Sequence, residues 1–258
     1  MIVLLSPAKD LDLSPLSTLK SFTQPRFLEQ SEQLIAKLRT LNTKQVAKLM
    51  DLSPKLAELN WRRYQDWSVP FSPNNAKPAA FSFNGEVYRG LDAASLKSGD
   101  LRFAQQHVRI LSGLHGLLRP LDLIQAYRLE MGCGLSMGRG IQNIYSFWGD
   151  RITNAINEDL VASDSNVVVD LASGEYFKSV QPTKLAARVI TPVFKEKTPG
   201  GYKVVMIFAK RQRGRMCRWI VDHRLQEPDE LKHYNVDSYK YNATLSEGDQ
   251  WVYTRNVR

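Results

Sequence analysis

The sequence is poor in the residues that build disulfide frameworks and metal centres. Its 258 residues include two cysteines, Cys133 and Cys217, far apart and outside any C-x-x-C context. That spacing excludes a disulfide-stapled scaffold, and both are expected to be free thiols. Histidine is as scarce. His107, His115, His223 and His233 show no zinc-type spacing, so no metal site and no cofactor is expected. Iron buffering is the least supported function for the same reason. No apolar run approaches the ~18 residues of a membrane span. The opening Met-Ile-Val-Leu-Leu-Ser-Pro is short and lacks a basic leader, so it reads as a buried strand rather than a secretory signal. A cytoplasmic protein with no membrane contact and no obligate protein partner is the expectation. Internal repeats, low-complexity tracts and long linkers are lacking too, which points to one domain over residues 1–258.

Positive charge is plentiful. Lys and Arg number 35 against 26 Asp and Glu, a formal net charge of +9 that favours anionic partners without specifying a fold. The densest charge lies in Ala209–Trp219, where Lys210, Arg211, Arg213, Arg215 and Arg218 fall together and the next acid is Asp222. The apolar run Val204–Phe208 precedes them, and a helix-like pattern at Met216, Trp219 and Ile220 follows. Cations at such a strand-to-helix junction can be aimed at one partner, and the arginine fork matches phosphate oxygens. A polyanion site, nucleic acid first, is the sharper reading; a solvated basic loop is the other.

Periodicity suggests strands at Ile2–Leu5, Val167–Val169, Arg188–Phe194, Tyr202–Phe208 and Trp251–Tyr253. Helical spacing runs from Arg26 to Leu41. Thr43 reads as the cap of a second helix, and Ser53-Pro54 as the opening of a third. Residues 26–68 therefore look like a helical insertion, and Pro70–Pro78 like a loop. Asp100 is expected to cap a helix running through Leu111 to Gly113, and another is expected over Phe147–Leu160. The fold class is α/β, a single mixed-sheet domain.

Four segments carry possible chemistry. Leu111–Pro120 (LSGLHGLLRP) sets Gly113 and Gly116 in a turn that would expose backbone N–H groups to a phosphate, as the hairpin of a helix-hairpin-helix motif does. Arg109, Arg119 and Arg128 lie near it. Lys9 follows the first strand, where ligands bind in α/β folds. Asp170–Lys178 gathers Glu175, Tyr176 and Lys178 after another strand, a set suited to acid–base work or base stacking, or equally to the first turn of a helix. Asn84-Gly85 reads as a hairpin turn of structural importance.

Together these segments resemble the YaaA family, peroxide stress proteins long grouped as a domain of unknown function. The resemblance runs through LSPAK (Leu5–Lys9), FNGEVYRGL (Phe83–Leu91), LSGLHGLLRPLD (Leu111–Asp122), YRLEMG (Tyr127–Gly132), FWGD (Phe147–Asp150), LASGEYFKSV (Leu171–Val180) and RGRM (Arg213–Met216). It implies a single-domain α/β fold of unusual topology, a basic cleft and a helix-hairpin-helix-like element. It further implies bacterial, cytoplasmic DNA binding that limits damage from peroxide and iron. Asp10, Asp170, Gly174 and His115 depart from the family pattern, and Gly174 removes a side chain from the segment most like an active site. The expectation is sequence-independent binding of double-stranded DNA by Arg109, Gly113, His115, Gly116, Arg119, Arg128, Lys210, Arg211, Arg213, Arg215 and Arg218. The rival is a glycosylase- or lyase-like enzyme on nucleic acid with Lys9, Glu175, Tyr176 and Lys178 in one pocket.

Overall fold

A computed structural model describes residues 1–16, 21–138 and 140–256. The chain opens on β1 (Ile2–Leu5), buried at every position, and touches β2 (Asp10–Leu11) before entering three helices. These are α1 (Leu28–Arg39), α2 (Thr43–Met50) and α3 (Pro54–Asp66), the expected helical insertion. Asn42, not Thr43, caps α2, while Ser53 caps α3 ahead of Pro54. Short pieces follow: β3 (Lys77–Pro78), α4 (Ala79–Ser82), β4 (Phe83–Asn84) and α5 (Glu86–Leu91). Next come α6 (Ser98–His107), β5 (Val108–Ser112), β6 (Gly116–Leu118) and β7 (Leu123–Ile124). Beyond them lie α7 (Ile144–Trp148), α8 (Arg151–Ala162), β8 (Val167–Asp170) and α9 (Gly174–Phe177). The chain finishes with β9 (Arg188–Thr198), β10 (Gly201–Lys203), α10 (Met206–His223), β11 (Lys240–Tyr241) and β12 (Gln250–Arg255).

The main sheet has the order β11-β12-β9-β8-β1-β5-β6, with β10 paired to β9. Its five middle strands are parallel, and β6, β10 and β11 are antiparallel additions. Numbered among themselves, the parallel strands run 2-1-3-4-5, an order shared with doubly wound α/β sheets. The chain steps from β1 to β5 on one side, then crosses to β8 on the other. The switch point of the topology is therefore the β1–β8 boundary, where Leu4 pairs with Asp170. β1, β5 and β8 are buried along their lengths, as strands covered on both faces are, and α8 and α10 both pack against β1. No helix among the described residues is long and apolar enough to cross a membrane.

Five expectations need correction. The helix from Asp100 ends at His107, because Val108–Ser112 is drawn into the sheet beside β1. The two glycines therefore turn a β-hairpin, β5 to β6, with Ile110 opposite Leu118 and Ser112 opposite Gly116. There is no helix-hairpin-helix at this position. The Tyr202–Phe208 strand stops at Lys203, and α10 begins at Met206. Asn84-Gly85 leads from β4 into α5 rather than turning a hairpin. The Phe147–Leu160 helix is two helices, divided at Gly149.

Candidate functional site

The switch point of a parallel sheet leaves a crevice at the carboxyl ends of its strands. Here that crevice is a cleft of about 550 Å³. The exits of β1 (Ser6–Lys9) and β8 (Leu171, Ser173) floor it, and α9 adds Glu175 and Tyr176. Asp10, Glu86 and Tyr88 come from the β2–β4–α5 corner, Tyr127–Glu130 from an extended segment, and Met206, Lys210 and Arg213 from α10.

The floor is stapled by serines. The backbone N–H of Ser173 donates to the Ser6 hydroxyl at 2.8 Å, and the Tyr88 hydroxyl donates to the Ser6 carbonyl at 2.9 Å. Glu130 is held between two cations, Lys9 at 3.1 Å and Arg128 at 2.8 Å. Glu175 accepts from the Gly132 N–H at 3.0 Å. Burial keeps the Tyr176 phenol protonated far above its ordinary range, and the charges of Glu175 and Glu130 act the same way, so it serves as a hydrogen-bond donor. Asp170, the last residue of β8, is buried, and desolvation raises its pKa to about 7. Its Oδ1 accepts from the Ala172 N–H at 2.9 Å, which together with the charge of Arg213 partly opposes that rise. Burial lowers the Arg213 pKa, and Asp170 pulls it back.

Residues Met206, Lys210 and Arg213 are spaced i, i+4, i+7 and form the cleft-facing stripe of α10. Arg211, Arg215 and Arg218 repeat that spacing on another stripe and are engaged elsewhere. Arg211 stands 3.8 Å from Glu86 and Arg215 3.8 Å from Asp237. Arg218 donates to Ser95 at 2.6 Å, to Asp222 at 2.8 Å and to the Asp92 carbonyl at 3.0 Å. Among the described residues, the basic run therefore splits into two cations free of ion pairs in the cleft and three arginines that face carboxylates elsewhere. The lining carries Lys9, Arg128, Lys210 and Arg213 against Asp10, Glu86, Glu130 and Glu175. Four charges of each sign make it balanced, not a basic cleft.

Four of the expected phosphate contacts, Arg109, Gly113, His115 and Gly116, are buried structure. Arg109 donates to Asp159 at 2.6 Å and to the carbonyls of Val108 and Gln105, tying β5 to α8. His115 is wholly buried, its Nδ1 lies 2.9 Å from the Ser31 hydroxyl, and desolvation lowers its pKa to about 3. It stays neutral and cannot meet a phosphate. A side chain on Gly113 would strike the Leu129 carbonyl, and one on Gly116 would strike the Trp148 ring. The Trp148 indole donates to the Gly113 carbonyl at 2.9 Å, so the two glycines serve packing. Arg119 is partly exposed and paired with Asp122 at 3.1 Å. Of the four candidate catalytic residues, Lys9, Glu175 and Tyr176 share the cleft. Lys178 is outside its lining, with its ammonium over the Tyr145 ring. Sequence reasoning gave no role to Glu130, Glu86 or Ser6. Nothing periodic marks them, since the packing of separate segments brings them to the cleft.

Over residues 1–245 the chain matches the model of a family described as peroxide stress protein YaaA. UPF0246 proteins of Burkholderia vietnamiensis (strain G4) and Burkholderia cenocepacia (strain HI2424) are 51% identical to it over 259 residues, covering 100% of this chain and 99% of theirs. A UPF0246 protein of Neisseria meningitidis serogroup B is 49% identical over 256 residues, 99% of this chain and 98% of its own. The chain belongs to the YaaA peroxide stress protein family. Of the seven segments that resemble the family in sequence, five supply cleft residues: LSPAK, FNGEVYRGL, YRLEMG, LASGEYFKSV and RGRM. The other two, LSGLHGLLRPLD and FWGD, meet in the core through Trp148 and Gly113.

Proposed function

We propose that this member of the family acts in the peroxide stress response as a DNA-binding protein whose cleft receives one unstacked, phosphate-bearing nucleotide. The supporting observation is the pair Lys210 and Arg213. Both enter the cleft at the switch point, and among the described residues neither is ion-paired, whereas Arg211, Arg215 and Arg218 all are. Two such cations suit a phosphodiester, and the protonated Tyr176 adds a donor. The cleft volume falls in the single-ligand range of about 300–1,000 Å³ and is too small for a duplex. DNA would therefore engage where its strands are open, and the β5–β6 hairpin takes no part. The four-residue catalytic set is not assembled, because Lys178 faces Tyr145.

Fluorescence anisotropy with labelled single-stranded and duplex DNA over a salt series tests this. Affinity should fall with salt and favour the single strand or an opened duplex. Removing two phosphate contacts with Lys210→Ala and Arg213→Ala should flatten the log–log salt slope by about 1.4, at roughly 0.7 per single-strand phosphate. A folded double variant with unaltered affinity and slope would exclude these cations as the anchor.

A further inference from the structure

Eleven large apolar residues are exposed among the described residues, and four of them crowd into five positions: Val204, Met206, Ile207 and Phe208. They are 41–58% exposed and lie at, or just before, the start of α10, whose first turn holds no acid. Apolar side chains gathered in water mark a surface that something covers. The surroundings restrict what that is. Between Glu196 and Asp222 the chain carries no carboxylate but seven cations. Lys203, Lys210 and Arg211 are exposed around the patch, and the Arg255 guanidinium lies 5.0 Å over the Phe208 ring. A second copy docked by two-fold symmetry would bring these cations against themselves. An unstacked nucleic-acid strand offers the reverse, flat apolar faces alternating with negative charge. The patch is also continuous with the cleft, because Met206 and Lys210 belong to both.

We propose that single-stranded nucleic acid leaving the cleft lays successive bases on Met206, Ile207 and Phe208, with its phosphates beside Lys203. The inference rests on the nucleic-acid reading of the cleft and adds the path and the means of holding bases without reading them. Stacking on an aromatic face is indifferent to base identity, so the strip binds any sequence.

The test uses the full chain, with oligo-dT and oligo-dA as probes. Phe208→Ser should weaken binding to both about tenfold, in line with the loss of one stacked base. Its salt slope should stay unchanged, because no phosphate contact is lost. Phe208→Trp should restore affinity, and its added indole fluorescence should be quenched by bound strand. Wild-type affinity in a folded Phe208→Ser, while the Lys210/Arg213 double variant is weakened, overturns the strip and leaves the cleft reading standing. Absence of nucleic-acid binding in the wild type overturns the cleft reading itself. A sedimentation mass that falls from dimer to monomer in Phe208→Ser reassigns the patch to a second copy. Flotation with anionic phosphatidylserine vesicles that is lost in Phe208→Ser, with DNA binding intact, reassigns it to a lipid surface.

Discussion

At the residue scale the most unusual group is Asp170. A carboxyl ordinarily titrates near 3.8, but burial at the end of β8 raises this one to about 7. Between those values the folded protein holds a proton that the unfolded chain has released. Stability therefore declines as pH rises from about 4 to about 7, and above 7 the full cost of a buried carboxylate is carried. An asparagine in its place would keep the acceptor for the Ala172 N–H without the charge. Asp170→Asn should accordingly raise Tm by about 2 °C or more at pH 8, the scale of a 1 kcal/mol gain in a chain this size, and leave it unchanged at pH 4. Equal shifts at both pH values in thermal melts would show that charge is not the cause. The two cysteines make the opposite kind of statement. Burial is the main force pushing the Cys133 thiol up to about 11 and the sole cause raising Cys217 to about 12, so the reactive thiolate is scarce at neutral pH. Neither should be oxidised by micromolar peroxide, and intact mass after exposure should show no added oxygen on either. Modification at Cys133 would make this a thiol sensor instead. Both residues are plain in the sequence; their inertness is a property of the core around them.

At the scale of elements, α10 decides where the charge goes. It crosses α5 at two glycines, and a Cβ on Gly214 would lie 1.8 Å from the Val87 carbonyl, one on Gly90 2.3 Å from that of Arg211. The glycine inside the RGRM segment thus permits helix crossing, not phosphate approach. Gly214→Ala forces backbone apart and should cost at least about 3 kcal/mol, beyond ordinary overpacking. Urea denaturation measures it, and a loss under about 1 kcal/mol, the low end of overpacking costs, would mean that the crossing relaxes easily. The two stripes, Met206/Lys210/Arg213 and Arg211/Arg215/Arg218, are present in the spacing of the sequence at i, i+4, i+7. They went unread because Val204–Phe208 looks like a strand, and a strand there puts the cations in a loop. The same ambiguity misplaced Val108–Leu111. Phe103, Ala104, Val108 and Leu111 suit one helix face, yet a short apolar run is equally a buried strand, and pairing with β1 decides between them.

At the scale of the molecule, the net charge of +9 predisposes the protein to anionic partners, but the cleft itself is balanced. Pairing explains the difference. Arg109, Arg119, Arg128, Arg211, Arg215 and Arg218 all face carboxylates, which leaves Lys210 and Arg213 to act on a ligand. The sequence alone determined the α/β class, the first strand, the three inserted helices with the Ser53 cap of the third, and the family, because these rest on local periodicity, capping chemistry and short ordered motifs. It also placed Lys9, Glu175 and Tyr176 after strands, where ligands bind. Tertiary structure alone decided that Glu130 and Glu86 join them, that His115 and Arg109 are core, and that two of five clustered cations stay unpaired among the described residues. Those outcomes depend on which distant carboxylate or carbonyl lies within hydrogen-bond reach. Asp159 is 50 residues from Arg109, and spacing along a chain carries no record of such a meeting.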